Sequence, residues 1–456
     1  MHLYPDTSPW GSDRPHAAIF AMRASVFVLV AILPLIMNPW AGDAYGYPKA
    51  QALYISCAAS GLLWLGSRSL RNRPWRLTPP EWALWAYLLT VLLSTWQSTD
   101  LLQSVIGTSA RYEGLVTVTA YVFLFFVGVH FLASAKWLFR LATIVTFAGV
   151  IAAAYGLVQL FVPPAFFAEN IMTASYGSLG LIRPVSTFGS PTILAGFLAL
   201  IGPLGVTLSL RATGIGRHVW LSSSVLIYAA LVITLTRAAW VAATIGGIVF
   251  VIALRGGLRR QGLVLCAVVI VAVAASYALM AMARSKPSAP HLGERVLSTL
   301  DVYAGSVGQR VFIWKQTLSL IRTRPLLGWG LETLGSIFPY DRPSLVVVFG
   351  RRPVIIDRAH NDLLQTAVSV GVPGALAYVA FWALCVRSAV RLAWSTKGTD
   401  RLIAAGWLAG LVAYLIQAQL SFSAVAVTPL VWLFAGAAAG WELAARNTGN
   451  FESSGE

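Results

Sequence analysis

The sequence predicts an all-α polytopic membrane protein of about twelve transmembrane helices, with one large outward-facing loop that itself contains amphipathic helices. Three observations predict it. Of the 456 residues, 57% are hydrophobic and only 11% are charged, against about 25% charged in an average soluble domain. Apolar runs of roughly the 20 residues that a bilayer crossing needs recur along the chain. The alternating pattern of a membrane barrel is missing.

The runs lie at roughly 20–38, 48–66, 81–97, 114–133, 141–162, 186–210, 219–236, 238–254, 262–283, 362–386, 402–421 and 427–445. The division is therefore a first bundle of about nine helices over 1–283, a loop over 284–361, and a second bundle of about three helices over 362–456. The first run is followed at once by further spans, so it reads as a retained anchor and not as a cleavable signal peptide. The 17 tryptophans suit rings anchored at membrane interfaces.

Short loops set the orientation. One set holds fifteen basic residues: Arg68, Arg71, Arg73, Arg76, Lys136, Arg140, Arg211, Arg217, Arg255, Arg259, Arg260, Arg387, Arg391, Lys397 and Arg401. The opposite set holds Lys49, Arg111, Arg183 and Arg237. The richer set belongs on the cytoplasmic side, and so do both termini. The loop over 284–361 then faces outward, although it carries eleven basic residues against five acidic ones. A net charge of +16 in such a chain fits cytoplasmic basic loops and contact with membrane lipid phosphates, not a nucleic acid partner.

Within that loop, Arg310 to Arg324 reads as an amphipathic helix. Val311, Trp314, Leu318 and Ile321 would line its apolar face, and Pro325 would end it. A second helix starts near His360, with Asn361 or Asp362 as its cap and Leu363, Leu364 and Ala367 as its apolar face. Gly371-Val372-Pro373-Gly374 breaks or kinks it.

Several chemistries are missing. There is no Asp-x-Asp pair for a metal-clamped nucleotide sugar, and no phosphate-binding loop, zinc-protease or serine-hydrolase motif. Cys57, Cys266 and Cys385 lie in or beside apolar runs, with neither disulfide framework nor metal spacing. No metal or cofactor is expected. Of the six histidines, only His291 and His360 face outward. His360 is the stronger candidate for a base, because the polar residues Asn361, Asp362 and Gln365 surround it and Arg358 precedes it. Arg111, Arg183 and Arg237 stand in short outward loops, where each could simply snorkel to the interface. Together they suit a pyrophosphate, since a guanidinium fork matches phosphate oxygens in pairs.

Four pieces in order carry a resemblance. They are the Gly107–Gly114 loop with Arg111; Arg183 followed by Ser186-Thr-Phe-Gly-Ser-Pro191; Thr234-Leu-Thr-Arg237; and a final block. That block runs from Arg310 and Trp314 through Pro325-Leu-Leu-Gly328-Trp-Gly330 to His360-Asn361-Asp-Leu-Leu-Gln365, Gly371 and Gly374. The chain resembles the superfamily of O-antigen ligases, O-antigen polymerases and bacterial protein O-oligosaccharyltransferases over roughly residues 100–380. It departs at Ser190-Pro191-Thr192, where the family often has Asn-Pro-Asn, and at Thr236-Arg237-Ala238, where it often has Ser-Arg-Gly. The resemblance implies a metal-independent, inverting glycosyltransferase of the bacterial inner membrane that acts on the periplasmic side. It implies transfer of O-antigen polysaccharide from undecaprenyl pyrophosphate to a lipid A-core acceptor. His360, Arg310 and Arg237 match the family's functional positions. Arg111, Arg183, Asn361, Asp362, Gln365 and Trp314 are the residues expected to bind pyrophosphate or acceptor. A basic loop favours the phosphate-bearing acceptor of a ligase over a polymerase or a protein O-oligosaccharyltransferase. A transporter or flippase for lipid-linked glycan is the competing class; it would show inverted repeats and mid-span polar residues.

Overall fold

The computed structural model describes residues 17–66, 77–161, 174–176, 181–283, 305–340, 345, 348–349 and 355–447. Each of the twelve apolar runs coincides with a helix. These are α1 (Ala17–Ile32), α2 (Gly46–Gly66), α3 (Pro79–Trp96), α5 (Leu115–Phe131), α6 (Ala135–Phe161), α7 (Pro191–Arg211), α8 (Gly214–Ile233), α9 (Arg237–Ala253), α10 (Gly256–Ala283), α13 (Asp362–Ser395), α14 (Gly398–Gln419) and α15 (Thr428–Asn447). The short α4 (Leu101–Ile106), α11 (Gly305–Thr323) and α12 (Leu334–Ile337) lie between them, together with a two-stranded antiparallel ribbon of β1 (Ala174–Tyr176) and β2 (Leu181–Arg183). Among the described residues, five helices are both long and apolar enough to cross a membrane: Ala135–Gln159, Pro191–Arg211, Gly214–Ile233, Asp362–Ser395 and Gly398–Gln419. Ala17–Ile32, Leu115–Phe131 and Arg237–Ala253 are shorter apolar helices. This is the helix content of a multi-pass membrane protein.

Small residues set how the bundle packs. Lipid is as apolar as a leucine side chain, so helix association depends on close backbone approach. Where α5 crosses α15, a side chain at Gly128 or Gly436 would collide with the backbone of the opposite helix. α9 and α7 pack on α14, and α3 packs on α13. Large apolar side chains such as Leu89, Ile248, Ile252 and Leu376 stay exposed on the outside of the bundle.

α13 is broken near its start, as its Gly-Val-Pro-Gly run predicts. Gly371 adopts φ +80, and Pro373 follows it. The break frees carbonyls that the turn after α11 uses. Trp329 and Gly330 donate from their backbone nitrogens to Val368 O at 3.0 Å and Ser369 O at 2.9 Å, and Val372 N donates to Pro325 O at 2.7 Å. The Pro325–Gly330 turn is thus stitched onto the kink. Gly328 allows it, because a Cβ there would lie 2.5 Å from Ser369 O.

A second, smaller apolar cluster sits outside the main core. Ile313 and Ile321 of α11 meet Phe338, Ile356, Ala367 and Val368 there. This corrects the expected face of α11. Ile313, Thr317 and Ile321 are buried, whereas Leu318 is 44% exposed. The helix is turned because Thr317 can enter the contact: its hydroxyl bonds Ile313 O at 2.8 Å and leaves no unmet donor.

The first turn of α13 also departs from the expected pattern. Leu363 is exposed, while Asp362 and Gln365 are buried. Its polar side faces the interior because partners meet it there, the Tyr378 hydroxyl for Asp362 and the Ala359 nitrogen for Gln365. Arg284, Lys286, His291, Arg295, Arg342, Arg351 and Arg352 of the loop lie outside the described residues, as do Arg68, Arg71, Arg73 and Arg76.

Candidate active site

The site forms at one end of the bundle, where the segment 355–361 runs into α13. Asn361 caps that helix, its side chain accepting from Leu364 N at 2.9 Å. The Asn361 amide also donates to Gln419 O at 3.0 Å, which ties the cap to the end of α14. His360 precedes the cap with φ +52, a left-handed backbone that a non-glycine residue keeps only where its surroundings hold it.

The His360 ring meets Phe422 edge-on at 5.6 Å between centroids. The guanidinium carbon of Arg111 sits 4.6 Å above the same ring. Arg111 Nε also donates to Asp357 Oδ2 at 2.7 Å. Phe422 therefore touches both the imidazole and one arginine. It lies beyond the resemblance, in the α14–α15 connection, and had no signal except its position in an outward loop.

The imidazole titrates low. Burial, then the nearby charge of Arg310, pulls its pKa from 6.5 down to about 4, with Asp357 opposing and Arg111 adding to the effect. His360 is thus neutral at pH 7 and its ring can accept a proton. Arg310 lies in the first turns of α11. Burial and the charge of Arg237 both lower its pKa. Burial opposes the charge on Asp357, but Arg111 outweighs it and holds that carboxyl below its usual range.

Arg237 is the first residue of α9, after Thr236 at the N-cap. The turn before it is strained, with Leu235 at φ +55. Arg183, at the end of β2, braces that turn. Its Nε donates to Thr234 O at 2.7 Å, and its NH2 group donates to the Thr236 hydroxyl at 3.0 Å. The positive end of the helix dipole and a cationic first residue thus occur together at the start of α9.

Of the nine residues singled out in the sequence, the fold links His360, Arg310, Arg237 and Arg111 electrostatically and ties Arg183 to the Arg237 turn. Trp314, Asn361, Asp362 and Gln365 serve the frame around them. Trp314 Nε1 donates to Ala359 O at 2.9 Å, Gln365 Oε1 accepts from Ala359 N at 2.9 Å, and Asp362 accepts from the Tyr378 hydroxyl at 2.6 Å. Sequence reasoning missed Glu113 and Glu332, which both grip Arg358. Glu113 stood beside Arg111 in the same short loop, and a carboxylate so close to an apolar run was its only signal. Among the described residues, no three His, Cys, Asp or Glu side chains are grouped to hold a metal ion.

A neutral imidazole under the charge of Arg310 and Arg111, at one end of an apolar helix bundle, marks the candidate site of a multi-pass membrane protein. The sequence model of the O-antigen ligase family matches residues 222–379, and that match supports the resemblance to the O-antigen ligase superfamily. Members of this family are glycosyltransferase-like enzymes with polysaccharide and lipid substrates. The matched segment contains Arg237, Arg310, Arg358, His360 and the kink of α13. No curated protein matches the chain.

Proposed function

We propose that the protein is an O-antigen ligase of the bacterial inner membrane, with its site on the periplasmic side. It transfers O-antigen polysaccharide from undecaprenyl pyrophosphate to lipid A-core oligosaccharide. The observation that carries this reading is the gathering of Arg111, Arg237 and Arg310 about one neutral histidine. In this reading the twelve helices are twelve crossings, and the parts 1–283, 284–361 and 362–456 are bundle, loop and bundle.

The reaction is a single inverting displacement. The acceptor hydroxyl oxygen attacks the anomeric carbon, and the bond from that carbon to the pyrophosphate oxygen breaks. His360 takes the hydroxyl proton, and the bond's electron pair leaves on the pyrophosphate. General-base help of this kind is typically worth about 10²–10⁴ in rate. Negative charge grows on the departing oxygen, and in this scheme Arg237, Arg310 and Arg111 offset it. The N-terminus of α9 adds backbone donors for a phosphate group. Arg183 contributes by holding the Arg237 turn. Asn361, Asp362, Gln365 and Trp314 contribute by framing His360. No metal is needed to charge-balance the leaving group in this scheme.

The test is transfer by purified protein from lipid-linked O-antigen to lipid A-core, with neither ATP nor an ion gradient. His360→Ala should lose about 10²-fold or more in turnover while remaining folded in the membrane. Turnover at the wild-type rate would remove the base assignment. A deletion strain should lose its long-chain lipopolysaccharide ladder and accumulate polymerised glycan on the carrier. Loss of polymer length with ligation intact would instead indicate a polymerase.

A further inference from the structure

Behind the segment that carries His360 is a half-open chamber whose buried ion cluster the displacement above leaves unused. It is a cavity of about 60 Å³, and Glu113, Glu332, Arg358, Asp362, Gln365 and Tyr378 are among its lining. Glu113, Glu332, Arg358, Asp362 and Gln365 are all at most 7% exposed. One NH2 group of Arg358 meets Glu113 Oε2 at 2.8 Å and Glu332 Oε1 at 2.6 Å. Ser423 donates to Glu113 Oε2 at 3.3 Å. The Nε of Arg358 and the Nε2 of Gln365 are buried donors without a partner among the described residues.

The chamber pins three distant parts of the chain to one point. Glu113 comes from the α4–α5 loop, Glu332 from the turn after α11, and Arg358 from the segment before α13. Residues on either side of Arg358 are held too. Asp357 is gripped by Arg111, and Ala359 is bonded at its nitrogen by Gln365 and at its oxygen by Trp314. His360 comes next, with its left-handed backbone. A backbone of that kind persists when its neighbours are over-determined.

We propose that Arg358 is a positioning residue for His360. Its guanidinium, clamped between Glu113 and Glu332, holds residues 355–361 in the register that keeps the imidazole beside Phe422, Arg111 and Arg310. The proposal rests on the reading of His360 as proton acceptor. Taking away one partner of a buried ion cluster leaves a charge uncompensated, which is strongly destabilising. The informative change is therefore Arg358→Lys, which keeps the charge but gives up the planar fork.

The experiment uses full-length protein in nanodiscs. For folded Arg358→Lys, kcat should fall about 10²-fold with donor KM within about twofold, because misplacement of a catalytic group acts on the chemical step. Carbethoxylation of His360 by diethyl pyrocarbonate, followed by peptide mass spectrometry, should become faster as the ring loosens. A cluster that served stability alone would change only the amount of folded protein. Wild-type kcat together with wild-type His360 reactivity in folded Arg358→Lys overturns the proposal. Should that variant fail to fold, Glu332→Gln is read by the same two measures. If wild-type protein transfers no glycan yet His360 reactivity still responds to Arg358→Lys, the functional reading fails and the positioning role stands. If His360→Ala is inactive while Arg358→Lys changes neither measure, the positioning role alone fails.

Discussion

At the residue scale, what matters is the charge His360 carries. A base whose pKa is pulled to about 4 by burial and by Arg310 is neutral across the physiological range but weak. An anion bound among the arginines offsets Arg310 and Arg111, so the His360 pKa rises in the complex. The sign follows directly. The acid limb of kcat/KM, which reports free enzyme, should fall near pH 4. The acid limb of kcat, which reports the complex, should lie at higher pH. Coincident limbs would argue against an anion held near the imidazole. The arginines make a second prediction. Arg237→Lys and Arg310→Lys keep the charge but lose the paired donors, so each should cut kcat/KM by about tenfold or more if it contacts the pyrophosphate. Full turnover in both variants would leave interface snorkelling as their role.

At the element scale, the kink in α13 is the feature to test. Gly371 sits at φ +80, and a side chain there would run into the backbone of Leu326. Gly371→Ala should therefore unstitch the Pro325–Gly330 turn, at a cost of about 1–3 kcal/mol from the backbone conformation alone. Thermal unfolding of the purified protein measures it, and an unchanged melting temperature would mean the kink is not needed. Asn361→Ala should be milder, about 1 kcal/mol for a lost helix cap. The sequence reading and the structure agree on the kink and the cap because both have local causes: Pro373 removes a donor, and Asn361 precedes the helix. They disagree on faces. The expected stripe Val311, Trp314, Leu318, Ile321 assumes that apolar residues decide which side is buried. On α11 a threonine that satisfies its own hydroxyl displaced Leu318. On α13 Asp362 and Gln365 displaced Leu363.

At the scale of the whole molecule, the test is topology. With Cys57, Cys266 and Cys385 replaced, a cysteine introduced at the exposed Ser319 of α11 should react with an impermeant maleimide in intact cells. One introduced at the exposed Thr213, between α7 and α8, should react only after the membrane is opened. The reverse pattern would put the arginine cluster on the side without lipid-linked O-antigen to transfer. The helical bundle and the apolar runs that form its helices were legible in the sequence, and Arg111, Arg183, Arg237, Arg310 and His360 could be singled out there. They rest on apolar run length, charge and residue type, which each stretch of chain carries by itself. Pairing was not legible. Glu113 and Arg358 lie 245 residues apart, and nothing local tells either that it will be buried against the other. Which carboxylates clamp the segment before α13, which ring touches both His360 and Arg111, and which sides of α11 and α13 turn inward were decided only in three dimensions. A buried polar group takes whichever partner the packed helices bring within hydrogen-bond reach.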